Sequence, residues 1–251
     1  VTKAAAQRRS WRLPFYYGWV IIGVAFITMA VAVTARTAFS LLLPPLIGEF
    51  GWDRGLTAGA FSFGFLVSAL LSPIAGRLMD RNGPRVVIGT GVCLMSLGLF
   101  TAPLIRTPWQ LYATLGFLVA VGAGFMTYTA HSLFLPHWFV RRRALAISIA
   151  FAGAGIGGVV LLPWLQTIIL REGWRASCSA MGYLVLLVIA PLSLLLRRKP
   201  QDIGLLPDGD ARVMQHSGAR LASNVVDPDW ATIDWTLARA MRTGRFWWIV
   251  L

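Results

Sequence analysis

The sequence predicts an all-α membrane protein built as a bundle of six transmembrane helices. Three observations carry that prediction. Hydrophobic residues make up 57% of the 251 and charged residues only 13%, against about 25% charged in soluble domains. Six stretches free of Asp, Glu, Lys and Arg lie at 13–35, 55–76, 86–105, 107–140, 144–170 and 176–196. Each reaches the ~20 apolar residues that cross ~30 Å of hydrocarbon. Alternation of period two is absent, which removes a transmembrane β-barrel and leaves helices to satisfy the backbone in lipid.

The first stretch is a span and not a cleaved leader. It continues through Ala35-Arg36-Thr37 into more apolar sequence, with no small-residue cleavage site. Asp53 stands where it can cap the second helix, and Thr107-Pro108 where they can cap and open the fourth. The fourth span carries Gly116, Ala120 and Gly124 at spacing four, a stripe for close helix contact, and Thr127, Tyr128 and His131 continue roughly the same face. The fifth has Ala146, Ala150, Ala154 and Gly158 at the same spacing, with Gly153 and Gly157 beside them. Trp11, Trp19, Trp52, Trp109, Trp138 and Trp174 fall at span ends as interfacial anchors, and Trp164 does not. Cys93 and Cys178 sit inside apolar runs and read as small core residues. Neither implies a disulfide, a metal or a redox site, and no cofactor is expected.

Beyond Lys199 the character changes. Residues 200–238 are polar and rich in Asp, Gly and Pro, a connector. Arg239, Arg242 and Arg245 then flank Phe246–Leu251, which reads as the start of a seventh span over 239–251. With no initial Met, this pattern predicts the front half of a longer protein. Residues 1–12 form a basic segment before the bundle, which itself occupies 13–199.

The net charge of +13 does not point to nucleic acid, because the basic residues cluster between long uncharged stretches and not along one polar face. Their distribution sets orientation instead. With the N-terminus cytoplasmic, the inner segments hold thirteen basic residues near the membrane and the outer connections only four (Arg54, Arg106, Arg171 and Arg175). That bias places both ends of the bundle inside.

The loop after the second span reads Gly76-Arg77-Leu78-Met79-Asp80-Arg81-Asn82-Gly83-Pro84-Arg85. Gly76 suits a close approach of two backbones, and Asp80 can accept hydrogen bonds at the start of the next helix and pair with an Arg. Gly83 permits a positive φ, and Pro84 suits a first helical turn. This run resembles the signature loop of the major facilitator superfamily, departing from it at Pro84, where the superfamily prefers a basic residue. With Tyr16-Tyr17-Gly18-Trp19, Phe50-Gly51-Trp52-Asp53-Arg54, Trp138 through Ala146, and Arg197 through Gly209, the sequence resembles the bacterial monocarboxylate-transporter-like branch, which includes oxalate–formate exchangers. The resemblance implies a twelve-span protein working by alternating access in a bacterial plasma membrane. Six of its spans lie here, with a C-terminal six-helix half as partner. Gly76, Asp80, Arg81, Gly83 and Arg85 would then serve as its gating loop.

Arg36 is the one unambiguous charge embedded between apolar sequences. Such a charge costs at least ~2.5 kcal/mol on insertion scales, so it usually faces a cavity. Snorkelling to the outer headgroups is the bland reading, but Ala38–Ile47 is apolar apart from Ser40, so the helix continues and keeps Arg36 inside. The resemblance implies a basic residue near this point of the first helix that engages an anion. Thr127, Tyr128 and His131 are the other candidates for the substrate path, with a structural histidine the rival reading for His131. No Asp or Glu lies within the six stretches, so an embedded Arg without an acid favours an anionic solute. The expected function is secondary transport of small organic anions, monocarboxylates first, by proton symport or exchange. A carrier of another solute (amino acid or drug) and a non-transporting receptor or scaffold remain as alternatives. No nucleophile–base pair or metal-ligand set suggests an enzyme.

Overall fold

The computed structural model describes residues 16–206, 208, 239, 241–244 and 247. The chain divides into two compact units, Val1–Gly209 and Asp210–Leu251. In the second, the Trp247 indole donates to the Met241 carbonyl at 2.9 Å. The basic segment 1–12, residues 207 and 209–238 of the connector expected over 200–238, and most of the expected seventh span lie outside the described residues.

The first unit contains six helices long and apolar enough to cross a membrane: α1 Gly18–Phe50, α2 Arg54–Asn82, α3 Pro84–Leu104, α4 Pro108–Trp138, α5 Arg143–Glu172 and α6 Trp174–Leu195. Among the described residues there is no strand. Every expected span is present, and two run many residues beyond the uncharged stretches. α1 continues past Arg36 to Phe50, carried through Ala38, whose N–H makes the ordinary helical bond to the Thr34 carbonyl four residues back at 2.7 Å. α2 continues to Asn82 and carries Arg77, Asp80 and Arg81 on its last turns. A charge ends a lipid-compatible stretch, not a hydrogen-bonded helix. At 1.5 Å per residue α2 measures roughly 44 Å, so one end stands clear of ~30 Å of hydrocarbon.

Small residues decide which helices touch. The most extensive pairing is α1 with α5. Gly153 lies against the Phe26 carbonyl and Gly157 against the Ala30 carbonyl, so a Cβ at either would meet backbone. Ala146, Ala150 and Ala154 are buried along the same stripe. Gly158, expected to share it, lies off it, with only Leu162 near at 4.0 Å. Between α2 and α4, a Cβ on Gly64 would stand 2.7 Å from the Ala120 Cβ and 2.8 Å from the Gly116 carbonyl oxygen. Beside this contact, the Ser68 hydroxyl lies 2.9 Å from the Ala120 carbonyl.

Asp53 caps α2 as expected, its Oδ2 accepting from the N–H groups of Gly55 and Leu56 at 2.7 and 3.1 Å. Asp53→Ala is expected to cost about 1 kcal/mol, read as a lower unfolding midpoint in detergent, and Asp53→Asn to recover most of it. At α4 the expectation is corrected in part. Pro108 opens the helix and Thr107 faces Gln110 in a capping box, but the Thr107 hydroxyl makes no close hydrogen bond among the described residues. Gln110 Oε1 does the capping, accepting from the N–H groups of Arg106 and Thr107 at 2.7 and 3.1 Å.

Each end of the bundle is tied across helices. At the proximal end, where α1 begins, the Tyr16 hydroxyl donates to the Trp138 carbonyl and the Tyr17 hydroxyl to the Leu195 carbonyl, both at 2.8 Å. At the distal end Glu49 pairs with Arg175 at 2.7 Å and accepts from the Trp174 indole at 2.7 Å. Trp138 and Trp174 are therefore buried packing residues and not the lipid anchors expected of them. Cys178 is buried as expected, whereas Cys93 faces outward.

Candidate functional site

α4 is not one helix. Gly122 and Gly124 lower its helical propensity, and the Met126 N–H reaches back only to the Ala123 carbonyl, at 2.9 Å. Thr127 is then extended, φ −98° and ψ −158°, before helix resumes over Tyr128–Trp138. A β-branched residue with a polar side chain suits that extended entry position. Non-helical backbone at membrane depth persists only inside protein or against a water-filled cavity. Here it meets a cavity.

That cavity has a volume of about 210 Å³ and is lined from α2 by Phe65, Ser68, Ser72, Gly76 and Met79, from α4 by Gly124, Thr127 and Thr129, and from α1 by Arg36. It far exceeds the ~10–15 Å³ that one water needs. Arg36 also borders a smaller, mostly apolar cavity of about 30 Å³ against Phe39, Leu42 and Cys178. The Arg36 guanidinium carbon lies 3.6 Å from the centroid of the Phe65 ring. Arg36 has no hydrogen bond and no carboxylate partner among the described residues. A cation held on an aromatic face has its position fixed while its N–H groups stay available.

Of the residues singled out in the sequence, Arg36 and Thr127 share this cavity. Tyr128 and His131 do not line it, because the broken turn takes them off the face that an unbroken helix would have continued. The Tyr128 ring turns toward α5, edge-on to Phe151 at 4.9 Å. His131 is fully buried, its Nδ1 3.0 Å from the Thr127 carbonyl, its ring against Phe134, and its Nε2 without a hydrogen-bond partner among the described residues. Since a carbonyl only accepts, Nδ1 carries the proton and His131 braces the first turn after the break. Phe65, Ser68 and Ser72 were not singled out. Their spacing on one face of α2 was the available signal, but only the partner helix identifies that face as a cavity wall.

The signature loop sits at the proximal end. Gly83 has φ +79° and Pro84 opens α3, as expected. Two expectations are corrected. A Cβ on Gly76 would meet nothing within 4 Å; this glycine borders the cavity and not another backbone. The Asp80 carboxylate is exposed and makes no hydrogen bond among the described residues, whereas its backbone carbonyl accepts from the Arg198 guanidinium, which also reaches the Arg81 carbonyl at 3.4 Å. A cation at the carbonyl end of a helix complements its dipole. Arg81 and Arg85 are exposed. A second tie joins the same end: Asp208 Oδ2 accepts from the N–H groups of Val140 and Arg141 at 2.9 and 2.7 Å.

Comparison with known proteins agrees with this architecture. The chain is 33% identical over 182 residues to mouse monocarboxylate transporter 11, covering 72% of this chain and 40% of that protein. It is 28% identical over 184 residues to rat monocarboxylate transporter 13, covering 71% and 43%. Against human monocarboxylate transporter 2 the identity is 27% over 170 residues, covering 68% and 35%. The chain thus spans less than half the length of these relatives. The family model described as Major Facilitator Superfamily matches residues 25–251. The chain belongs to that superfamily, a family of multi-pass membrane transporters and not of enzymes.

Proposed function

We propose that this chain is one six-helix half of a secondary transporter that carries small organic anions, monocarboxylates first, by alternating access. The observation that carries the reading is Arg36, a cation without an acid partner among the described residues, lining a cavity of about 210 Å³ between α1, α2 and α4. Similarity to proteins named monocarboxylate transporters supports the solute class. The other wall of the path belongs to a C-terminal half. The N-terminus lies in the cytoplasm, supported by the thirteen-to-four bias of basic residues. On the likeness of the four motifs, the membrane is a bacterial plasma membrane. Gly76, Asp80, Arg81, Gly83 and Arg85 form the loop that shifts as access alternates, and Arg198 grips that loop in the present arrangement.

Proteoliposomes of the complete protein test this. Radiolabelled lactate or pyruvate is expected to enter saturably. Stimulation by an inward proton gradient marks symport, and stimulation by internal unlabelled anion marks exchange. Uptake of amino acids or cationic drugs, with none of the carboxylates, would contradict the reading.

A further inference from the structure

Four consecutive backbone N–H groups, those of Thr127, Tyr128, Thr129 and Ala130, find no acceptor among the described residues. Orphaned first-turn donors are ordinary at a helix start, where water or a side chain satisfies them. In this turn no side chain caps them. A second observation points the same way. Thr127 is only 8% exposed and lines the cavity, yet its hydroxyl has no hydrogen-bond partner among the described residues. Thr129 and Ala130 border the same cavity.

The direction of this turn matters. Tyr128–Trp138 runs toward the proximal end, so its free N–H groups point back toward the distal end, the side on which Arg36 stands. By residue count, Arg36 is roughly 27 Å from the start of α1 and Thr127 roughly 16 Å from the end of α4, so the two differ in depth by about 10 Å. An eleven-residue helix concentrates partial positive charge at its first turn. Aligned N–H groups with that dipole form a seat for an anionic oxygen.

We infer that the broken turn of α4 is a second carboxylate site on the transport path, formed by the free N–H groups of residues 127–130 and the Thr127 hydroxyl. It rests on the anion-carrier reading above and adds a site that uses backbone and hydroxyl donors and no charged side chain. A monocarboxylate occupies it on the proximal side of Arg36. His131 is a positioning residue for it, holding the Thr127 carbonyl from below.

The site is tested by removing a donor without moving the helix. Tyr128→Ala deletes the ring and keeps the amide; Tyr128→Pro deletes both. Proline suits the first helical position, and Thr127 before it is already extended and outside the helical region that a following proline disfavours. In proteoliposomes of the complete protein, KM for radiolabelled lactate is expected to be about tenfold or more higher in Tyr128→Pro than in Tyr128→Ala. A second pair protects the test against misfolding: Thr127→Val raises KM, and Thr127→Ser restores it. If Tyr128→Pro fails to insert, the Thr127 pair decides. Wild-type uptake with no KM difference in the pairs that insert would overturn the site alone, leaving water as the partner of these donors. No carboxylate uptake by the wild type would overturn the carrier reading and the site with it.

Discussion

Valine at Gly157 is expected to prevent α1 and α5 from closing, so that little monodisperse protein survives extraction. A Cβ at this position would run into the backbone of Ala30, and one at Gly153 into that of Phe26. A side-chain neighbour could rotate away, but a helical carbonyl moves only with its helix. Overpacking of yielding cores costs about 1–3 kcal/mol, and a backbone collision along the most extensive helix pair belongs at or above the upper end. In lipid, helix association depends on such close packing, with no hydrophobic drive between helices to compensate. Gly155→Ala is the control, since nothing lies within 4 Å of its Cβ position. It is expected to unfold at the wild-type temperature or slightly above, because alanine is the better helix former by about 1 kcal/mol. Thermal unfolding in detergent, followed by size-exclusion chromatography, separates the two.

Arg36→Ala is expected to have the opposite signature, an intact fold with failed transport. Losing a hydrogen-bonded charge partner for a carboxylate forfeits about 1.5–3 kcal/mol of binding, roughly a 10- to 100-fold rise in KM. Stability should hold or rise, because embedding a guanidinium among apolar helices costs at least ~2.5 kcal/mol and the Phe65 contact returns only about 0.5–2 kcal/mol of it. Arg36→Lys keeps the charge but loses the planar fork and the flat stack on Phe65, so intermediate uptake is expected. Saturable uptake measured beside the unfolding midpoint of each variant checks both halves of this expectation. An arginine that merely anchors α1 at the headgroups would show lost stability with unchanged KM.

The span count, the continuation of α1 beyond Arg36, the cap at Asp53 and the turn at Gly83-Pro84 were legible because each follows from local chemistry. Length against lipid thickness, a carboxylate beside free N–H groups and a positive φ before proline need no partner helix. The small-residue stripes were legible as contact surfaces, though only the fold shows that Gly157 belongs to one and Gly158 does not. What could not be read was tertiary. Trp138 and Trp174 look like interfacial anchors until the tyrosines and Glu49 that cover or engage them are in place. The face shared by Thr127, Tyr128 and His131 assumed an unbroken helix. The break at Thr127 had a signal in the glycines before it and the N-cap residue itself, but a stabilising cavity was needed to realise it. Phe65, Ser68 and Ser72 became cavity residues only once α4 lay opposite them.

Whether the cavity reads negative charge is decided by competition between two solutes of nearly the same shape. Propionate and propionamide are each titrated against radiolabelled lactate uptake in proteoliposomes of the complete protein. Propionate should inhibit the wild type strongly and propionamide hardly at all, and Arg36→Ala should lose most of that discrimination. Equal inhibition of the wild type by the neutral amide would mean that Arg36 does not select the solute.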